Sequence, residues 1–318
     1  MDMPPNSPTP DYGTLGPGSD IKLPVGPTFG PSGRATNARR PAQVILPSTR
    51  ILMALISLML TLGAFFYAQF VLRKAPSARA SRSSIARPSP AQRDAEQLLQ
   101  RAAGNDAAAT AQIEARAATW RGQIALTPQL SRLIAVGLNA KDLRVRAATI
   151  QLDLAAMNVG QDAAAVDRLA AQAGSSDHAT RIWAIWTLGL VANRGVQRRR
   201  ISDLLITHLA DSDVDSRHWA VEALSYVGTD DTIPPLLKTM RDDPSPAIRE
   251  RAACALAESG MLSNQQRRTA IPTLLTYAED PSLDAQTRAW TYHALRDITA
   301  QHLPDDADAW RKWYTSSR

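Results

Sequence analysis

One short pattern recurs along the second half of the chain and limits what it can fold into. Arg217 is followed by Ala220, Leu224 and Gly228, and Arg249 by Ala252, Leu256 and Gly260, both at offsets of +3, +7 and +11. Arg181 keeps Ala184 and Leu188, and Arg288 keeps Leu295. Arg146 gives a fainter copy without the +3 Ala. The five arginines lie 35, 36, 32 and 39 residues apart. Ala220, Leu224 and Val227 share one face of a helix at this spacing. Self-similarity with a period of about 20–50 residues marks stacked supersecondary units.

The residues upstream complete the unit. Four positions before each Arg stand Asp142, Asp177, Asp213, Ser245 and Asp284, all suited to cap a helix N-terminus. Pro246 follows Ser245, and Pro is favoured at the first helical position. About one further turn-plus-helix upstream comes an apolar pair, clearest in "IPPLL" (233–237) and "IPTLL" (271–275) and echoed in "ISDLL" (201–205) and "LSRLI" (130–134). Each unit therefore reads as helix A, a short turn and a capped helix B. One such pair cannot bury its apolar face alone, whereas stacked pairs can. The expected fold is all-α: an α-solenoid of about five helix pairs over residues 127–318. "SPAQ" (89–92) opens a set of N-terminal capping helices over 89–126. There Ser89 is the N-cap, Pro90 the first helical residue and Gln92 the capping-box partner. Trp310, Trp313 and Tyr314 belong to a C-terminal capping helix.

"DDPSPAIRERAACALAESG" (242–260) and "DSDVDSRHWAVEALSYVG" (211–228) resemble the HEAT repeat, of the bacterial kind also called the phycobilisome-lyase HEAT-like repeat. Both carry the Asp expected six positions before the Arg, Asp243 and Asp211. The resemblance covers residues 127–300 as five units, and the stretch 292–314 looks like the tail of bacterial HEAT proteins of unassigned function. It implies a scaffold that binds protein partners, with no cofactor, catalytic residue or small-molecule substrate. The name of the repeat alone suggests an alternative, a bilin-lyase-like enzyme or accessory, but fold does not carry function.

The chain before residue 89 is built differently. Residues 1–50 hold ten Pro and six Gly, a composition expected to stay disordered. Residues 51–72, "ILMALISLMLTLGAFFYAQFVL", contain no charge. At about 1.5 Å per residue they are long enough for a membrane-spanning helix. A basic flexible linker follows over 73–88, where Arg73, Lys74, Arg79, Arg82 and Arg87 are candidate contacts for anionic lipid. These five against Arg39, Arg40 and Arg50 on the other flank lean toward a single-pass protein with its C-terminal domain in the cytoplasm, the opposite orientation remaining a rival. The formal charge is +6 overall, with +8 in residues 1–93 and −2 in residues 94–318. The basicity belongs to the flanks, so the repeats are not expected to bind nucleic acid. Anionic-membrane or nucleic-acid association through the flanks is a further alternative.

Inside the repeats a few residue sets have the chemistry of sites. Asp211, Asp213, Asp215 and Glu222 match the acidic positions of a calcium loop, but Ser216 stands where that loop needs Gly. The five His residues form no zinc motif, so no metal site is expected. Cys254, the single cysteine, falls inside a helix B as a small hydrophobe. "RRR" (198–200) reads as a solvated loop. Two positions after the repeat Arg the chain places Trp183, Trp219, Arg251 and Trp290. They serve either as packing between neighbouring B helices or as a partner-binding ladder on the concave wall, since Trp and Arg dominate interface hot spots.

Overall fold

The computed structural model describes residues 88–317. The expected tail (1–50), membrane helix (51–72) and linker lipid contacts Arg73, Lys74, Arg79, Arg82 and Arg87 lie outside the described residues. Among the described residues there are only helices and their connections, and no helix is long and apolar enough to cross a membrane.

The five expected pairs are present. Helices A are α3 (Pro128–Leu138), α5 (Ala163–Ala173), α7 (Arg198–His208), α9 (Ile233–Asp242) and α12 (Ile271–Glu279). Their partners B are α4 (Leu143–Ala156), α6 (His178–Asn193), α8 (Val214–Val227), α10 (Pro246–Ala257) and α13 (Ala285–Thr299). The N-terminal helices α1 (Pro90–Ala103) and α2 (Ala107–Trp120) form one more pair, with α1 packed on α3 and α2 on α4. A short α11 (Asn264–Arg268) precedes α12, and α14 (Ala307–Ser316) packs on α12 as the C-terminal cap with Trp310 fully buried.

Local chemistry sets the helix starts. Asp142, Asp177, Asp213 and Asp284 each accept a backbone N–H from the first turn of their B helix. Ser245 departs from the expectation and makes no side-chain cap; Pro246 starts α10 instead. Ser89 caps α1, but Gln92 does not complete a capping box. Its amide turns to Glu96 and accepts from the Ala125 N–H, tying α1 to the loop before α3. The RRR stretch is not loop but the first turn of α7.

The +11 glycines take geometry that other residues resist, Gly228 as the C-cap of α8 and Gly260 in the turn that follows α10. Gly228 and Gly260 have φ of +71° and +70°, a region costly for residues with a Cβ. A Cβ on Gly260 would collide with the Ser225 carbonyl, where Met261 N–H donates at 2.8 Å. The 39-residue spacing before Arg288 is also explained. Its extra turn, α11, carries Arg267, which is 6% exposed and donates to the carbonyls of Ala255, Leu256, Ser259 and Leu262. Ala255 and Leu256 carry orphan carbonyls of the last turn of α10, which a helix must satisfy somewhere, and Ser259 and Leu262 lie in the connection to α11.

Candidate partner-binding face

The repeat arginines are staples. Arg181, Arg217 and Arg249 each donate Nη1 to the carbonyl six residues upstream, at 2.8, 2.9 and 2.7 Å, closing their own A–B turn. The rest of each guanidinium reaches the next unit. Arg181 meets Asp213 Oδ2 at 2.9 Å and Ser216 Oγ at 3.0 Å. Arg217 meets Asp243 Oδ2 at 2.9 Å, and Arg249 meets Thr287 Oγ1 at 3.0 Å and Asp284 Oδ2 at 3.3 Å. Planar forked donors suit such shared bonding. The acid six before the Arg has a matching role: the Asp211 and Asp243 carboxylates accept the N–H groups of Asp213 and Ser245.

Against this frame the four-residue Trp/Arg column divides. Trp219 and Trp290 are 2% and 4% exposed and present almost no surface to a partner. Trp219 packs edge-on against Trp186 of the preceding unit, centroids 5.7 Å apart, and Trp186 in turn meets Tyr226 at 5.0 Å. Of the two readings of the column, these two positions take the packing one: neighbouring helices approach closely and leave no open wall there. Gly189 shows how closely, since a Cβ on it would stand 2.5 Å from the Ala223 carbonyl oxygen. Trp183 and Arg251 are half-buried. Arg251 is occupied: it pairs with Glu222 and reaches Ser259 Oγ at 3.1 Å. Glu222, the supposed twelfth calcium ligand, thus serves an ion pair. The Trp183 indole N–H is buried and meets no acceptor among the described residues.

Other reactive types are accounted for. Burial pushes the Cys254 thiol up to about 12, the opposite of an activated nucleophile. His178, Asp213 and Asp215 offer ligand atoms within 4.8 Å of one another. Asp213 Oδ2, however, already accepts from Arg181 and Ser216, and Asp213 Oδ1 receives the Asp215 N–H. Its hydrogen bonds to Arg181 and Ser216 outweigh burial and hold its carboxyl below the usual range. A groove of about 500 Å³ lies between α9 and α12, where Arg241 stacks over Tyr277 at 5.6 Å.

These features define a class, the helical-repeat stack. Residues 166–257 and again 201–296 match the family described as HEAT repeats, so this part of the chain is a HEAT-like helical repeat. Among solved structures, an engineered protein from the Northeast Structural Genomics Consortium is 17% identical, with a TM-score of 0.35, covering 65% of this chain and 97% of that one. A designed armadillo repeat protein is 16% identical, with a TM-score of 0.31, covering 64% of this chain and 99% of that one. No curated protein matches the chain.

Proposed function

We propose that this chain is a membrane-anchored HEAT-like scaffold that holds a protein partner and catalyses no reaction. The repeat stack carries the reading: stapled helix pairs over residues that match the HEAT family make a long surface of the sort used for protein recognition. The uncharged run 51–72 supports a single-pass anchor. Its flank of Arg73, Lys74, Arg79, Arg82 and Arg87 supports contact with anionic lipid on the side of the C-terminal domain. Within the stack Trp183 is the preferred partner contact, because it is the tryptophan of the column that is only partly buried and no ion pair occupies it. The test is crosslinking and capture from native membranes with the full chain and with Trp183→Ala. One partner lost selectively in Trp183→Ala, with unchanged thermal stability, supports the reading. Extraction of the chain from membranes by high salt alone refutes the anchor, and turnover of any substrate refutes the scaffold.

A further inference from the structure

The first repeat breaks the stapling rule. Arg146 closes its own turn on the Ala140 carbonyl, as its counterparts do. It does not reach the second pair. Its Nη1 instead lands on the carbonyls of Gly260 and Glu258, the latter at 3.3 Å, more than a hundred residues away at the end of α10. Two further contacts join the same blocks. The Tyr226 hydroxyl at the end of α8 donates to the Leu138 carbonyl at 3.3 Å, and Arg194 at the end of α6 pairs with Glu114 of α2 at 2.8 Å. The N-terminal block, α1–α4, is thus clasped onto the ends of three later B helices. Helix α4 is buried nearly all round as a result, from Ala148 through Ala156 except Gln151.

One residue in α4 does not suit that seat. Asp153 occupies the +7 column, where Leu188, Leu224, Leu256 and Leu295 stand fully buried in the other units. It is 5% exposed, and no hydrogen-bond donor or ion-pair partner meets its carboxyl among the described residues. A buried carboxylate without partners is strongly disfavoured. Charged groups of α4, of the helices α1, α2 and α6 packed against it, and of the Tyr226 helix α8 are engaged elsewhere. Arg146, on the same helix, bonds carbonyls, and Glu114 and Arg194 pair with each other. On α1, Glu96 is held by Gln92 and Thr127, and Glu222 of α8 pairs with Arg251 of α10. Tyr226 is near enough for the carboxyl's charge to raise its hydroxyl pKa, with burial the larger cause. Burial alone pushes Asp153 up to about 7.

We propose that α4 is a proton-gated clasp, seated while Asp153 carries a proton and released when the carboxyl ionises, which takes Arg146 off the end of α10. This inference does not depend on the scaffold reading. A raised carboxyl pKa stabilises the closed form fully below the free value of 3.8 and loses that contribution as pH rises to about 7. From pH ~5.5 to ~8 the opening equilibrium of α4 accordingly rises by about 30-fold.

Hydrogen exchange on the full chain tests this, with rates corrected for the intrinsic pH dependence of exchange. The α4 amides of the parent protein are expected to gain about 30-fold in opening over that interval while α13 amides stay constant. Asp153→Asn and Asp153→Leu, the latter restoring the residue of the other units, are expected to be flat. A flat parent profile, a rise that persists in either variant, or α4 and α13 rising together would overturn the proposal. The parent profile suffices if a variant does not fold.

Discussion

The staple between the third and fourth pairs can be broken with one substitution, Arg217→Met, which keeps the aliphatic stem but removes the fork. The Asp243 side chain is 3% exposed and that of Arg217 11%. Removing one partner of a buried ion pair leaves the other charge uncompensated and costs roughly 3–5 kcal/mol. Asp243 keeps the Ser245 N–H at 2.8 Å, which favours the lower end, about 3 kcal/mol. The guanidinium also leaves the Asp211 carbonyl, so the A–B turn loosens with the interface. For a folded part of this size the melting temperature falls about 6–12 °C, read by far-UV circular dichroism. Arg144→Met is the control, since Arg144 pairs with Asp142 at 79% side-chain exposure, where solvent screening leaves an ion pair little net effect. A double-mutant cycle with Asp243→Asn should give a coupling above about 1 kcal/mol. Equal melting temperatures for the Arg217 and Arg144 variants would refute the staple as the source of inter-repeat stability.

Trp219→Ala should cost about 3–5 kcal/mol as a large core truncation, measured by urea unfolding, whereas Trp183→Ala should cost less because its side chain is only partly buried. Gly260→Ala should lose about 3 kcal/mol or more, from the left-handed backbone and the collision with Ser225, with a lowered denaturation midpoint as the readout. Cys254 should react with an aromatic disulfide reagent at pH ~8 about a thousandfold slower than a free thiol, because the thiolate is the nucleophile and burial holds the thiol near 12; rapid labelling of the native chain would contradict that burial.

Much of this fold was legible because its determinants are local and repeated. The N-cap column, Pro246 and the +3/+7/+11 pattern each act within one helix pair, so their spacing survives in the sequence. What the arginines do was not legible. Their partners are a carbonyl six residues back and an acid or hydroxyl in the next unit, and a carbonyl leaves no mark in the sequence. The Trp column was ambiguous for a related reason. Position +2 flanks the core face, and only the close approach of α6 and α8 at Gly189 decides that Trp219 is inside. Arg267 was missed, yet the longer spacing before Arg288 was its signal, because an insertion between repeats needs some structural use.

The acid pattern at 211–222 illustrates why residue type without partner geometry misleads. Asp211, Asp213 and Glu222 each look like ligands, but each already bonds within the repeat: a turn N–H, an arginine from the unit before, an arginine from the unit after. Asp153 is the reverse case. It matches no motif, and it stands out only against four leucines in its column and a carboxyl without partners. In a repeat protein the columns supply an internal control that a single domain lacks. A position where one unit departs from the others, at a cost in stability, is where selection for something besides folding is most visible. By that criterion the first repeat, with Arg146 redirected and Asp153 buried, is the part of the stack whose sequence is least explained by stacking alone.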